Sequence, residues 1–384
     1  MLFLHLFQCK DLNLADSMLM WISIQVAHIA TLNFLSDYFQ VTYLCDVSQQ
    51  ALAHCARKVA GNVPKTTTEA EELCASSEVD AVIVCNATAF HPTHAILALQ
   101  NNKHVLVEKP LAICYRDVDM IEAAEKQSQG RVFVGYMRRY APGFLDAIAE
   151  VGGTGEILYA RVRDIIGPNA DFVDQSGTFP KRFTDFCKED SDELAAKDQE
   201  MAEAALLSDY DVPINDETRR MLAILGGLGS HDLSAMREAI GMPRAVRGAS
   251  LQWPIWSALF QYDSFPVVYE SGINSVPIFD AHIEIYTANK IVRVNYDTPY
   301  VKGLPTTMTV REKTTGPRGG PCYQERYVRT TYEDSYTIEF KEWHDCIVND
   351  KRPKTTIADA RQDLDIFKML MQAAFGKGEK QGIS

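Results

Sequence analysis

The sequence predicts a two-domain α/β protein: a doubly wound parallel sheet over residues 1–140, then an α+β domain over 141–384 with a mostly antiparallel sheet. Three observations carry this. Between residues 41 and 135, short β-branched and apolar runs alternate with helical stretches, the rhythm of right-handed βαβ units. After Pro142 the rhythm breaks, and from residue 245 strand-like runs follow one another directly. The length of 384 residues exceeds one ordinary domain and suits two.

In order, residues 27–35 have helical apolar spacing and 41–45 form an apolar strand ending in Asp46. Ser48 caps a helix over 49–60, which Gly61 stops. A helix over 69–75, a strand over 81–85, a helix over 91–101 and a strand over 104–107 follow. A helix over 117–129 closes at Gly130, before a strand over 131–135. In the second domain, alternation marks a long strand over 156–166. The segment 167–225 has an acidic helical part over 189–207, and a helix over 230–240 stops at Gly241-Met242-Pro243. Strands are expected over 245–252, 267–272, 281–287, 291–296, 306–312 and 323–331, with a hairpin turn at 288–290. Helices over 335–348 and 357–374 close the chain, with Pro353 between them.

Composition bounds the function. Hydrophobic residues make up 46% and charged ones 23%, as in a soluble globular protein. The net charge of −13 lacks the basic footprint of a nucleic-acid binder, and residues 188–217 alone carry 11 acids against two lysines. The nine cysteines contain no Cys-x-x-Cys pair, so they read as reduced thiols rather than a disulfide framework or a zinc site. No apolar run reaches the roughly 18 residues of a membrane span. Residues 1–7 are apolar but lack a basic n-region and a small-residue cleavage site, so they are not read as a signal peptide. A cytoplasmic protein with no membrane partner is expected.

Several residues could carry chemistry. In His-Val-Leu-Val-Glu-Lys-Pro at 104–110, Lys109 follows Glu108 at the carboxyl end of a strand, and Pro110 sets the backbone direction. Ligands bind outside that end of parallel sheets, although a surface Glu-Lys pair would look the same. Asp46 either accepts from ribose hydroxyls or caps the next helix. Asn86 and Thr88, in Asn-Ala-Thr, let a ring or ribose approach the backbone; the plainer reading is a strand-to-helix loop. His91 and His94 have the HxxH spacing but no acid partner at ligand spacing, so no metal is assigned. His231 enters a helix from the glycine-rich turn 226–229, either facing a cleft or satisfied in a core. Trp253 and Trp256, with Phe179, Phe183 and Phe186, line a cleft or pack in a core.

The run Val-Asp-Ala-Val-Ile-Val-Cys at 79–85, then His91 and His94, then Lys-His-Val-Leu-Val-Glu-Lys-Pro-Leu at 103–111, resembles the glucose–fructose oxidoreductase/inositol dehydrogenase (Gfo/Idh/MocA) family. The resemblance covers nearly the whole chain from Gln25. It implies a Rossmann domain for NAD(H) or NADP(H) and a second domain whose open sheet serves homo-oligomer contacts. It also implies oxidation or reduction at a hydroxyl or carbonyl carbon of a sugar, cyclitol or related small molecule. By resemblance, Lys109 is the catalytic lysine and His231 its partner, while Glu108 and Pro110 shape the nicotinamide pocket. Arg138 or Arg139 faces cofactor or substrate, Asn86, Thr88 and His91 lie on the cofactor side, and Asp46 favours NAD over NADP.

Two departures stand out. Many polyol-oxidising members carry an acid four residues before the histidine, where this chain has Gly227; three residues after it stands Ser234, with Asp232 close by. No glycine precedes Gly61, although the pyrophosphate turn is expected near Leu19, Trp21 and Ile24. Residues 1–24 are therefore expected to replace the family's first strand and glycine loop, through an alternative start or a mis-joined exon, with 17–24 a candidate for the strand. The alternative function is a non-catalytic or cofactor-impaired ligand-sensing member of the same fold.

Overall fold

The computed structural model describes residues 2–6 and 27–376. Among them the first sheet comprises Leu2–Leu6 (β1), Val41–Asp46 (β2), Lys65–Thr67 (β3), Ala81–Val84 (β4), His104–Glu108 (β5) and Val132–Gly135 (β6). The strands are parallel, in the order β3-β2-β1-β4-β5-β6. Order reverses between β1 and β4, which puts the ligand crevice beyond the carboxyl ends of these strands. Every residue of Ala81–Val84 is buried, because helices cover both faces of a parallel sheet. Gly130 sits where an added Cβ would lie 1.9 Å from the Lys103 carbonyl oxygen; only glycine lets the chain enter β6 so closely.

β1 is Leu2–Leu6, paired with β2 and β4, so the strand position weighed for 17–24 belongs to an earlier stretch. The expected pyrophosphate turn and residues 17–24 lie outside the described residues.

The second sheet comprises Ile157–Ile166 (β7), Ala245–Ser250 (β8), Ile255–Gln261 (β9), Pro266–Ile273 (β10), Phe279–Thr287 (β11), Lys290–Tyr296 (β12), Thr307–Thr315 (β13) and Pro321–Val328 (β14). Their order is β14-β13-β12-β11-β7-β10-β9-β8. Only β7 and β10 pair in parallel; the other described pairings are antiparallel.

The structure corrects several expectations. The helix expected over 49–60 ends at Ala56, and β3, the Pro142–Val151 helix and the Asp216–Ile224 helix appear where none was expected. Pro142 starts its helix where no N–H is needed, and Gly152, at φ 82°, ends it. Trp256 belongs to β9: it alternates inward with Ala258 and Phe260, and is core rather than cleft.

The Ser335–Val348 helix, late in the chain, packs into the first domain. Phe340 and Trp343 meet Phe39 with ring centroids 5.9 and 5.8 Å apart, within the cluster of Ile29, Leu32, Val41 and Leu44.

Candidate active site

Hydrophobic burial anchors β5: Val105, Leu106 and Val107 are inaccessible to solvent, so the polar residues that follow are held on a rigid strand end. Glu108 is buried, with Oε1 2.9 Å from His28 Nε2, while Oε2 accepts the Lys109 backbone N–H at 3.2 Å. Burial works against its charge, but His28 and the Lys109 ammonium outweigh this and hold the carboxyl below its ordinary range. His28 lies in the first helical stretch, and no motif in the sequence had singled it out.

The Lys109 ammonium donates to the Gly227 carbonyl, reaching across from the first domain to the second. Burial pushes its pKa down to about 8; Glu108, Asp232 and Asp164 oppose this, and Arg138 adds to it. Gly226 lies against Pro110, with an added Cβ only 3.1 Å from Pro110 Cγ, so the glycine turn can seat on the strand end. Four residues after Gly227, one helical turn on, His231 enters the Ser230–Ile240 helix. Burial, then the charges of Lys109 and Arg138, push the His231 imidazole well below its ordinary pKa and keep it neutral. Its Nδ1 is buried with no hydrogen-bond partner among the described residues. The Lys109 ammonium is thus close enough to His231 for its charge to bear on the imidazole.

Behind them lies a buried ion cluster. Arg138 sits with Nη1 2.5 Å from Asp232 and Nη2 3.0 Å from Asp164, over the Tyr296 ring at 4.7 Å. Burial and the neighbouring Asp164 push the Asp232 carboxyl well above its ordinary range, against the pull of Arg138. Asp164 went unnoticed in the sequence; the available signal was a lone acid on the inward face of β7. Arg138 therefore spends its charge bracing the second domain, and Arg139 likewise pairs with Glu238 and Asp359. Neither guanidinium is left unpaired toward the crevice.

On the other side of Lys109, Asp46 ends β2, and its Oδ1 accepts the Ser48 N–H at 2.7 Å. Asn86 follows β4; its amide nitrogen meets His94 Nδ1 at 2.7 Å, while the buried Oδ1 has no hydrogen-bond partner among the described residues. Thr88 opens the short Thr88–Phe90 turn. The two His91 ring nitrogens lie 2.8 Å from the Pro110 carbonyl and 3.0 Å from the Asn86 carbonyl. Burial lowers the His91 pKa, and the neutral ring donates to one carbonyl at a time, bracing the loops after β4 and β5. Among the described residues no cluster of His, Cys, Asp and Glu could hold a metal ion. A cavity of about 710 Å³ opens beside Val47, Thr68, Phe90 and His94. The Asp46 carboxylate and the orphaned buried Asn86 amide oxygen fit a ribose. Phe183 contacts the His54 ring at 5.4 Å, so that aromatic group lies by the Gln49–Ala56 helix, on the Asp46 side of the sheet.

Residues 23–136 match a family model described as "Oxidoreductase family, NAD-binding Rossmann fold". The Rossmann part of the chain is thus similar to the Gfo/Idh/MocA oxidoreductases. A relative, the myo-inositol 2-dehydrogenase of Thermotoga maritima, is 30% identical over 154 residues, 39% of this chain and 45% of that one. The inositol 2-dehydrogenase/D-chiro-inositol 3-dehydrogenase of Shouchella clausii is 36% identical over 125 residues, 31% of this chain and 34% of that one. The matches thus span less than half the length of these curated relatives. Among solved structures, levoglucosan dehydrogenase in complex with NADH and levoglucosan covers 97% of both chains with a TM-score of 0.64 at 14% identity. An oxidoreductase from Thermotoga maritima does the same at 0.65 and 17%. At that identity the likeness is one of fold, and it takes in both domains.

Proposed function

We propose that this chain is an NAD(H)-dependent oxidoreductase acting at a hydroxyl or carbonyl carbon of a sugar, cyclitol or related small molecule. The observation that carries the reading is the meeting of Lys109, from the carboxyl end of β5, with the turn that presents His231. The relatives named for inositol and levoglucosan support the substrate class. NAD rather than NADP follows from the acid, Asp46, at the end of β2. Asp46, Asn86, Thr88 and the loop braced by His91 would hold the adenosine and ribose, with Glu108, Lys109 and Pro110 at the nicotinamide end.

Bound NAD would supply the hydride acceptor or donor. The residues then handle one proton and one oxygen. Lys109, with its pKa near 8, is poised to exchange a proton with the substrate oxygen near neutral pH. His231, held neutral, can accept or donate a hydrogen bond to the same oxygen and orient it. Arg138, locked between Asp164 and Asp232, keeps the second domain registered against Lys109. Binding geometry contributes most of the rate, because both reactants are held in place.

A reducing, cytoplasmic setting suits the eight described cysteines, all free. No helix among the described residues is long and apolar enough to cross a membrane. Self-association through the outer face of the second sheet, where Ile255 and Leu259 are exposed, completes the proposal.

The test is nicotinamide absorbance with NAD+ and NADP+ against a panel of sugars and cyclitols. Lys109→Ala and His231→Ala should each lower turnover by about 10²-fold; wild-type-like turnover in both would sink the assignment. The ligand-sensing reading is favoured by one sequence fact, the lack of any glycine before Gly61. It predicts that a sugar or cyclitol binds without any change in nicotinamide absorbance.

A further inference from the structure

The stretch that leads into the acidic helix reaches the start of the Gln49–Ala56 helix, next to Asp46. Asp185 lies 137 residues from Ser48 in sequence, yet its carboxylate accepts from the Ser48 hydroxyl through one oxygen. Its other oxygen accepts the Gln50 backbone N–H at 2.9 Å. Both donors belong to the start of the Gln49–Ala56 helix, directly after Asp46 at the end of β2. In dinucleotide-binding sheets the acid ending this strand meets the ribose 2′-hydroxyl, and a 2′-phosphate would lie just beyond it. A hydroxyl plus helix-start N–H groups is the donor set that takes a phosphate. Here a carboxylate already holds those donors.

Neighbouring contacts fix the segment in that place. The Lys58 ammonium donates to the Thr178 carbonyl, and to the Phe179 carbonyl at 3.2 Å, while Phe183 packs on His54. The following Lys188–Glu203 helix buries Leu194 and Met201, and sets Lys197 over the Phe90 ring at 5.2 Å. It brings Asp190 and Glu193 to the wall of the 710 Å³ cavity that Val47, Thr68 and His94 also line. Lys58, Lys181 and Arg57 lie close enough to His54, on the same Gln49–Ala56 helix that Asp185 caps, to depress its pKa.

We infer that Asp185 is a cofactor-selecting residue: it occupies the 2′-phosphate position and, with Asp190 and Glu193, makes the adenosine end accept unphosphorylated ribose only. This deepens the proposed NAD(H) reading and rests on it. Charge and position both act, since a phosphate would have to displace one carboxylate and face two more.

The experiment is direct binding of NAD+, NADP+, 5′-AMP and adenosine 2′,5′-bisphosphate to the wild-type chain and to Asp185→Ser and Asp185→Asn. The two mononucleotides probe the adenosine end without the nicotinamide. The wild type should prefer NAD+ over NADP+ and 5′-AMP over the bisphosphate. Asp185→Ser should narrow both preferences by about 10- to 100-fold, mainly by tighter binding of the 2′-phosphorylated ligand. Asp185→Asn, which keeps a hydrogen-bond acceptor without the charge, should give a smaller change of the same sign and guards against a folding defect in the first variant. Unchanged preferences in folded variants, with NAD+ still bound, would overturn the role of Asp185 alone. A wild type that binds none of the four ligands would overturn the NAD(H) reading and this inference with it.

Discussion

His28 Nε2 lies 2.9 Å from Glu108 Oε1, with both side chains buried, so the residue preceding the key lysine is pinned by the first described helical stretch. The His28 ring is itself packed by Tyr336 and Phe340 of the returning helix, each at 5.4 Å. Three distant parts of the chain thereby fix one strand end. Replacing His28 with Ala strands a buried carboxylate and should cost about 3 kcal/mol of unfolding free energy. Urea denaturation checks this, and a loss well under 1 kcal/mol would mean that the pair does not support the strand end.

Lys109 gives the site its expected pH dependence. With a pKa near 8, its amine becomes neutral above that pH and can take a proton from a hydroxyl. In the oxidising direction kcat/KM should rise through about pH 8, and the limb should vanish in Lys109→Met. The linkage has a definite sign. The folded pKa lies below the unfolded value of 10.5, so between about pH 8 and 10.5 the unfolded chain binds more protons, and this lysine's contribution to stability increases with pH. A stability profile in which Lys109→Met leaves this window unaltered would contradict the burial of the ammonium.

Gly227 occupies the position of the missing polyol-type acid, and its carbonyl is the partner of Lys109. A Cβ added there meets no heavy atom within 4 Å, so there is room for a side chain. Gly227→Asp should fold, raise the Lys109 pKa by placing a carboxylate beside it, and move the activity limb above pH 8. An unmoved limb in a folded, active variant would show that the new carboxylate does not reach the ammonium.

Arg138 lies between Asp164 and Asp232, all three buried. Removing the guanidinium leaves two acids close together in a low-dielectric interior, so Arg138→Ala should cost about 3 kcal/mol or more. The penalty should be larger at pH 8 than at pH 5, because protonation of Asp232, whose carboxyl is already pushed up by burial and Asp164, relieves it at the lower pH. Arg138→Lys should rescue only part of it, since one ammonium cannot serve both acids with the fork geometry of arginine. Equal penalties at both pH values would argue against the two acids as the source.

The parallel first sheet was legible because β-branched runs such as Ala81–Val84 and Val105–Val107 are too apolar to be anything but fully buried strands. Lys109, Pro110 and His231 stood out because strand ends and glycine-rich helix entries are local patterns. β3 was missed because three residues, two of them exposed, carry no periodic signal. β9 was missed because a Trp-Pro dipeptide at its start reads as a turn, although the alternation from Ile255 to Phe260 was present.

By itself, then, the sequence determined that a parallel sheet precedes a mostly antiparallel one, and the strand end that carries Lys109, because burial periodicity and turn chemistry are encoded over a few neighbouring residues. Tertiary structure alone decided the partners. Gly227, Asp164, His28 and Asp185 meet Lys109, Arg138, Glu108 and Ser48 across separations of 118, 26, 80 and 137 residues. No local pattern records such pairings, since they arise only when the second domain and the returning helix pack against the first sheet. That packing also set Asp190 and Glu193 of the acidic segment on the wall of the cavity beside Val47 and His94.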